Sequence, residues 1–409
     1  MNKCAVIIFL LFFASCQKHQ EEKVIGNILE SMPDQYTKII SNPDKYKLQI
    51  LYTRIDRNKK NLPFFKTFSY RANSGEYFYP ASTIKLPVAL MSLEKLNKLE
   101  VTGLDKYATM ITDSAYSGQS SVLYDSSARN RIPSIAHYLK KIFLVSDNDA
   151  FNRIYEFLGQ EYLNESLKSK GFINTEIIHR LSIFLSEDEN RHTNPIKFYN
   201  EGRLLYDQKA VESKYKRRMN DPVLLGRGFV SGGKVIDQPM NFANKNFCSL
   251  EDLHQLLTET LFPGSLTGER LFKLKTEDYE FLYRYMSMYP GESDSPDYGS
   301  TYDDSYCKFF IYGDNPNSIP RNIRIFNKVG EAYGFLIDAA YIVDFEEKIE
   351  FILSAVIYVN ENKIFGDNQY EYDSLGYPFL AELGRKFYKY ELNRHKNYLP
   401  DLKRFKFDY

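Results

Sequence analysis

The segment from Ile84 to Leu96 places the strongest constraint on the fold. Apolar residues occupy positions 84, 86, 88–91, 93 and 96, so nearly every side of a helix built from this segment would be apolar. A helix of this kind is buried in the middle of a domain. Pro87 falls in the opening turns, where backbone N–H groups lack helical partners and proline is tolerated. The sequence therefore predicts a central helix that begins close to Ile84.

Strand-like segments lie on both sides of this helix in the sequence. Two precede it, Tyr46–Asp56 and Phe64–Ala72, with the turn-like NKKNLP between them. Three follow near the carboxyl end, in the runs NIRIFNKVG, AYGFLIDAAYIVDF and KIEFILSAVIYVN, and their short turns indicate an antiparallel meander. A last helix is predicted over Pro378–Asn393. If the five strands form one sheet, the chain is a single α+β domain.

The region between these strands, about Lys106 to Leu271, is predicted to be mainly helical. DNDAFNRIYEFLG has helical spacing and a glycine stop at Gly159. SLEDLHQLLTETL begins with Ser249 as a cap and has two acids in its first turn, where the helix dipole favours them. Residues 200–246 are charged, contain several glycines and show little period, so we interpret them as an insertion.

Charge and composition exclude two function classes. The 53 basic residues equal the 53 acidic residues, and no long basic run indicates nucleic-acid binding. The six histidines are isolated and lack the spacing of a metal-binding motif, so we expect neither a metal nor an organic cofactor. The 33 tyrosines are expected to pack mainly in the core. The oligomeric state is left open.

The amino terminus predicts export. Residues 4–15 form an apolar run that is too short to cross a bilayer and is typical of a signal peptide. The run ends in Phe13-Ala14-Ser15-Cys16, which resembles the lipobox of bacterial lipoproteins. That resemblance implies cleavage before Cys16, lipidation of its thiol, and a periplasmic or cell-surface protein anchored to a bacterial membrane. The alternative is an ordinary secretory signal with an incidental cysteine.

We therefore divide the chain into four parts. Residues 1–15 are a signal peptide, 16–45 a lipidated amino terminus and tether, 46–395 the main domain, which carries the insertion, and 396–409 a tail. Once Cys4 is removed and Cys16 is lipidated, Cys248 and Cys307 remain. They form either one disulfide or two buried thiols, because the sequence does not establish their proximity.

Ser82 and Lys85 have a spacing suited to nucleophilic catalysis. A serine hydroxyl needs a neighbouring proton acceptor, and a lysine provides one only if burial or positive potential lowers its pKa. Three residues apart on a helix, the two side chains share a face, and the helix dipole at this end disfavours the ammonium. Ser-x-x-Lys occurs six times in the chain, but only this pair opens a buried helix directly after a predicted strand.

Two further motifs follow, and each occurs once. Ser146-Asp147-Asn148 precedes a predicted helix, and Lys328-Val329-Gly330 lies in the predicted meander. Ser-x-x-Lys, Ser-Asp-Asn and Lys-x-Gly in this order resemble the signature of class A β-lactamases and penicillin-binding proteins. The resemblance implies a class A β-lactamase/transpeptidase-like fold, a five-stranded antiparallel sheet with helices on both faces and a helical subdomain.

The resemblance also implies a role for each motif residue. Ser82 would be the acylated nucleophile, deprotonated with the help of Lys85, and Ser146 would relay a proton to the leaving nitrogen. Asn148 would hold Lys85 and the substrate amide, and Asp147 would shape its loop. Lys328 would attract the substrate carboxylate, and Gly330 would let the substrate lie close to the strand. The N–H groups of Ser82 and Glu331 would form the oxyanion hole.

The chain departs from the family pattern at two positions. Val329 replaces the hydroxyl residue of the third motif, which weakens or changes recognition of a β-lactam carboxylate. In IIHRLSIFLSEDENRHTNP, Arg180 fits the arginine of the family's omega loop, and the position of its deacylating glutamate then falls on Ser182. Glu187, Asp188 and Glu189 follow nearby, and we interpret them as solvated acids. His179 and His192, which flank the loop, are interpreted as structural.

These departures leave three functional hypotheses. The first is an exported serine hydrolase acylated on Ser82 that acts on β-lactam or related amide substrates. The second is a penicillin-binding or D-alanyl-carboxypeptidase-like enzyme that acts on cell-wall peptides, because an acyl-enzyme without a deacylating base should persist. The third is a catalytically silent lipoprotein that binds glycan or peptide. Expected partners are a small-molecule or cell-wall peptide substrate and a membrane, reached through the lipid anchor.

Overall fold

A computed structural model describes residues 23–217, 221–265, 270–316 and 318–409. The predicted signal peptide and Cys16 therefore lie outside the described residues. The strands are, in chain order, β1 (Gln49–Arg57), β2 (Pro63–Tyr70), β3 (Thr109–Thr112), β4 (Thr175–Glu176), β5 (Ile196–Asn200), β6 (Arg203–Gln208), β7 (Leu224–Leu225), β8 (Gly228–Ser231), β9 (Lys234–Ile236), β10 (Met240–Asn241), β11 (Phe247–Cys248), β12 (Ile323–Ala332), β13 (Phe335–Asp344), β14 (Ile349–Tyr358) and β15 (Ile364–Phe365).

The helices connect and cover these strands. In chain order they are α1 (Val24–Glu30), α2 (Thr37–Ile40), α3 (Lys85–Lys98), α4 (Ile135–Val145), α5 (Asn148–Leu158), α6 (Gln160–Ser169), α7 (Glu187–Arg191), α8 (Leu250–Leu261), α9 (Thr276–Ser287) and α10 (Tyr377–Asn393). A 3₁₀ turn, Ala81–Ile84, leads directly into α3. Within the described ranges, no helix is both long enough and apolar enough to cross a membrane.

The five predicted strands form one antiparallel sheet, which confirms the α+β fold class. Its order is β12-β13-β14-β1-β2, so the carboxyl-terminal meander joins the amino-terminal hairpin through the pairing of β14 with β1. In that pairing Thr53 lies opposite Ile352. The sheet brings together segments that are almost 300 residues apart in the sequence, as the resemblance requires.

Helices cover both faces of this sheet. One face packs against α8 and the central helices, with Ile337, Ala339 and Ile352 among its buried residues. The other face packs against α1 and α10, with Leu336, Ala340 and Leu353 among its buried residues. Successive residues of a strand point to opposite faces, so the alternation between neighbours separates two apolar cores.

The predicted central helix is α3, and it lies in a helical subdomain. It packs against α4, α5 and α6 on one side and against α8 on another. Its buried residues include the polar Lys85, Ser92 and Glu94 as well as the apolar ones. The sequence placed the start of this helix correctly to within one residue.

Two predicted boundaries are wrong. The segment 16–45 is not a tether throughout, because from residue 24 it forms α1 and α2, and Val24, Ile25, Ile28 and Leu29 are buried against the sheet and α10. Residues 396–409 are not a free tail, because Leu402 and Phe405 are buried and the Phe405 ring packs against Phe262, Phe326 and Tyr341. Short apolar patterns in otherwise polar segments provide this packing.

The predicted insertion contains short strands. Residues 200–246 include β6 to β10, and β8 pairs in parallel with β15 from beyond the main sheet. Cys248 and Cys307 are free, buried thiols, so the two cysteines do not form a disulfide with each other.

Candidate active site

Ser82 lies in the 3₁₀ turn at the amino end of α3. The residue before it, Ala81, has φ +46°, in the left-handed region that residues other than glycine rarely adopt. Thr83 stabilises the turn by donating its hydroxyl to the carbonyl of Pro80 at 2.6 Å. The Ser82 hydroxyl is only partly buried, and no described residue forms a hydrogen bond with it. The turn therefore presents a serine hydroxyl that is not committed to another group.

Lys85 is fully buried beneath this turn. Its ammonium donates to Asn148 Oδ1 at 2.7 Å, to Ser146 Oγ at 3.2 Å, and to the Ser146 carbonyl. Burial, and after it the positive charge of Lys328, lower the pKa of Lys85 well below its usual range. Lys85 is thus shifted toward the neutral amine that a proton acceptor requires.

Ser146 connects the two buried lysines. Lys328 Nζ donates to Ser146 Oγ at 2.8 Å, on the opposite side from Lys85. Ser146 ends α4 with φ +56°, and Asp147 caps α5 by accepting from the N–H of Ala150 at 2.7 Å. The Ser-Asp-Asn segment is therefore a helix cap and also the meeting point of the predicted site residues.

Lys328 and its neighbours alternate across strand β12. Lys328 is buried on the site face, and burial lowers its pKa to about 8. Val329 points the other way and belongs to the apolar core beneath α1 and α10. The strand therefore directs the Lys328 side chain toward the site, and Val329 adds no hydroxyl there.

Gly330 lies against the turn that carries Ser82. A Cβ at this position would lie 2.7 Å from the carbonyl oxygen of Pro80, 3.0 Å from Thr83 Cγ2 and 3.3 Å from Ala81 Cβ. Because Gly330 has no side chain, the turn that carries Ser82 can lie directly against strand β12. Gly330 therefore sets the distance between the nucleophile and the strand that carries Lys328.

A buried polar network beneath the sheet supports this strand, and sequence reasoning missed it. Asn327 Nδ2 donates to Asp338 Oδ1 at 2.8 Å, and Lys308 Nζ donates to Asn327 Oδ1 at 2.7 Å. Asp338 also accepts the N–H groups of Phe309 and Phe310 at 3.1 and 3.2 Å. Burial raises the pKa of Asp338 and lowers that of Lys308. Asp338 is the lone charged residue in an apolar run of its strand, which was the available signal.

Three of the predicted site residues, Ser82, Asn148 and Glu331, border a cleft of about 240 Å³. Ser82 and Asn148 lie on one side, and the residues after Gly330, from Glu331 to Tyr333, lie on the other. The carboxylate of Glu331 accepts a hydrogen bond from the hydroxyl of Tyr377. The loop that follows Arg180 forms the remaining wall, so the predicted nucleophile lies at an opening that a small acyl group can enter.

Ser182 lies at this cleft, as the alignment on Arg180 predicts. Asn148 Nδ2 donates to Ser182 Oγ at 2.7 Å, so a hydroxyl meets Asn148 where the family has a carboxylate. The three nearby acids have other contacts: Glu187 with Arg217, Asp188 with Tyr116, and Glu189 with Ser186. None of them borders the cleft. Of the described residues that line it, only Glu331 has a carboxylate.

His179 also borders the cleft. Its Nδ1 donates to the carbonyl of Arg180 at 2.6 Å, and its ring stacks on Tyr79 with the centroids 6.3 Å apart. Burial lowers the pKa of His179 to about 4, so the ring is neutral near pH 7. Its Nε2 is buried without a hydrogen-bond partner. The ring packs as part of the wall.

The base of this loop depends on Asn246, which sequence reasoning also missed. Asn246 Oδ1 accepts the N–H groups of Ile178 and His179 at 2.7 and 3.1 Å, and Nδ2 donates back to the His179 carbonyl. Arg180 fixes the other side through Glu156 at 3.0 Å and the His192 carbonyl at 2.9 Å. One side chain from the end of the insertion thus closes the neck of the loop.

Among the described residues, no cluster of three or more histidine, cysteine or acidic side chains could hold a metal ion. The chemistry of the arrangement is that of a serine, two buried lysines and backbone N–H groups.

Residues 35–231, slightly less than half of the chain, match the family model described as "Beta-lactamase enzyme family". This match supports that family for the chain. No curated protein matches it.

Several solved structures are similar to the chain. A β-lactamase from Desulfarculus baarsii DSM 2075 is 14% identical and has a TM-score of 0.49, covering 91% of this chain and 99% of that one. A class A β-lactamase from Clostridium kluyveri DSM 555 is 14% identical with a TM-score of 0.48, covering 88% and 99%. A protein named PBP-A is 15% identical with a TM-score of 0.47, covering 90% and 94%.

Proposed function

We propose that this chain is an exported, lipid-anchored serine hydrolase that is acylated on Ser82 and acts on β-lactam or related amide substrates. One observation carries the proposal: Lys85 and Lys328, both buried, donate to the same hydroxyl, that of Ser146, next to a cleft that contains an unbonded serine. Burying two lysine side chains around one hydroxyl costs stability. A proton-transfer site explains them.

We propose the following acylation step. Neutral Lys85 accepts the proton of the Ser82 hydroxyl, and the oxygen forms a bond to the substrate carbonyl carbon. The N–H groups of Ser82 and Glu331 stabilise the oxyanion. As the carbonyl re-forms, the C–N bond breaks and Ser146 gives its proton to the leaving nitrogen. Lys85, hydrogen bonded to Ser146, returns the proton it took, so that the acyl-serine forms with no net gain or loss of protons.

The second candidate is a penicillin-binding or carboxypeptidase-like enzyme acting on cell-wall peptides. The observation that favours it is Ser182, which places a hydroxyl rather than a carboxylate beside Asn148. A hydroxyl does not activate water, so the acyl-enzyme is expected to be long-lived with a β-lactam. With a natural peptide substrate, removal of the acyl group from Ser82 would then need a step that does not depend on a carboxylate base at position 182.

Export and lipidation rest on the amino-terminal sequence. Cys16 follows Phe13-Ala14-Ser15 directly, at the end of the apolar run. Labelling with a radioactive fatty acid should mark the wild-type chain and leave Cys16→Ala unlabelled. Equal labelling of both would contradict the anchor at this cysteine.

The acyl-enzyme is tested by an intact-mass time course of residues 23–409 with benzylpenicillin, beside the Ser82→Ala variant. An adduct on the wild type that stays for hours supports the penicillin-binding candidate, and one that fades as hydrolysed drug accumulates supports a β-lactamase. Absence of any adduct, at millimolar drug, would contradict the proposal and leave the silent binding lipoprotein.

A further inference from the structure

A second cavity adjoins the Ser82 cleft, and the insertion builds one of its walls. It has a volume of about 720 Å³. Its lining includes Tyr215, Arg217 and Lys245 from the insertion, opposite residues of the Ser182 loop. His179, Arg180, Ile183, Phe184 and Lys245 border both this cavity and the Ser82 cleft. The two spaces therefore share a wall, and the second cavity lies next to the position of a substrate at Ser82.

The charge of this cavity is strongly positive. The described residues that line it include five cationic side chains, from Arg180, Arg191, Lys216, Arg217 and Lys245, and one carboxylate, that of Glu187. Arg180 is neutralised from behind by Glu156, and Arg191 by Glu212 at the rim. Glu187 lies 3.5 Å from Arg217. Lys216 and Lys245 are left without a carboxylate partner among the described residues.

Lys245 is placed where the two spaces meet. Its side chain is partly buried, and no described group accepts a hydrogen bond from its ammonium. Burial lowers the pKa of Lys245. Ile183 and Phe184 present an apolar edge on the same wall. Their relative solvent accessibilities are 43% and 106% of the reference value for each residue. A ligand that crosses this wall would meet an apolar edge and then an unneutralised cation.

We propose that this cavity is a substrate subsite for a carboxylate on the acyl side chain, bound by Lys245, so that the preferred acyl donor is an anionic amide such as an acidic peptide. The proposal rests on acylation of Ser82. It gives the insertion a role in specificity, since Lys245 and its neighbours come from that segment. A carboxylate would accept the charge-assisted hydrogen bond for which the Lys245 ammonium has no acceptor among the described residues.

Three penicillins test this, because they share one scaffold and differ in a single group. The α-carbon of the phenylacetyl side chain carries hydrogen in benzylpenicillin, a carboxylate in carbenicillin and an ammonium in ampicillin. We expect Ser82 to be acylated fastest by carbenicillin and slowest by ampicillin, measured as second-order rates by intact mass. Lys245→Gln should reduce the ratio of carbenicillin to benzylpenicillin about tenfold, and Lys245→Arg should keep it.

The matched control is Lys234→Gln, an exposed lysine of the same insertion on β9 that does not line the cavity. It should leave the ratio unchanged. Equal ratios for Lys245→Gln and the wild type would overturn the subsite, even if all three drugs acylate Ser82. If none of the three penicillins acylates Ser82, calorimetric titration of Ser82→Ala with carbenicillin and benzylpenicillin tests the subsite by binding alone. Tighter binding of carbenicillin, lost in the Ser82→Ala/Lys245→Gln double variant, supports the subsite, and equal or no binding contradicts it.

Discussion

Gly330→Ala provides a direct test of how the nucleophile is positioned. The new Cβ would lie 2.7 Å from the Pro80 carbonyl oxygen, whereas carbon–oxygen contacts in proteins are about 3.3 Å or longer. The turn and β12 must therefore separate by about 0.6 Å, because the atom in contact is backbone and no side chain can rotate away. Displacements near 1 Å at reacting groups cost about 100-fold in rate, so we expect acylation of Ser82 to slow by about tenfold or more.

The assay is the second-order rate of penicillin acylation by intact mass, together with urea unfolding. Overpacking at this contact should also lower the free energy of unfolding by about 1–3 kcal/mol. The matched control is Gly26→Ala in α1, where a Cβ meets nothing within 4 Å. That variant should be acylated at the wild-type rate and be slightly more stable. A folded Gly330→Ala protein with the wild-type acylation rate would refute the reasoning.

Further predictions follow from the buried lysines and the loop. Acylation by anionic penicillins should fall as pH rises through about 8, where Lys328 loses its charge, and a rate that stays level to pH 10 would argue against this role. An unfolded lysine has a pKa of about 10.4, so the unfolded state holds more protons between pH 8 and 10. Wild-type stability should therefore rise with pH across this window, by up to about 1.4 kcal/mol per unit more than that of Lys328→Met. Urea titrations of both proteins at several pH values measure the difference, and parallel slopes would contradict the lowered pKa. Asn246→Ala leaves two backbone N–H groups without their acceptor and should cost about 2–4 kcal/mol in urea unfolding, against almost nothing for the exposed Asn393→Ala. A loss below 0.5 kcal/mol, roughly the surface-substitution range, would show that the loop neck does not depend on Asn246.

The sequence predicted the elements whose signals are local. The pattern from Ile84 to Leu96 defined the central helix, and alternating strands defined the sheet. Strand ends moved by up to three residues, since Tyr46–Asp56 became Gln49–Arg57, because pairing partners rather than composition set where a strand begins. The motifs placed Ser82, Lys85, Ser146 and Lys328 without knowledge of their contacts.

What the sequence could not supply depends on contacts between distant segments. Lys308, Asn327 and Asp338 meet only because two neighbouring strands and a loop converge, so their spacing carries no pattern. Gly330 lies against Pro80, which is 250 residues earlier in the chain, so the sequence does not reveal this contact. Asn246 closes a loop that begins almost 70 residues before it. Such partners become visible only once the fold is known.

Strand β12 carries both an apolar core residue and the buried Lys328, and this restricts which insertions and deletions the strand can accept. Lys328 faces Ser146 on one side, while Val329 lies in the apolar core on the other. Adding or deleting one residue within the strand before Lys328 would exchange these faces, burying an ammonium among apolar side chains and turning a valine toward Ser82. The hairpin turn at Tyr333-Gly334 lies after both residues, so length changes there leave their faces unaltered. Viable insertions and deletions in this part of the chain should therefore fall in the turn, or occur two residues at a time within the strand.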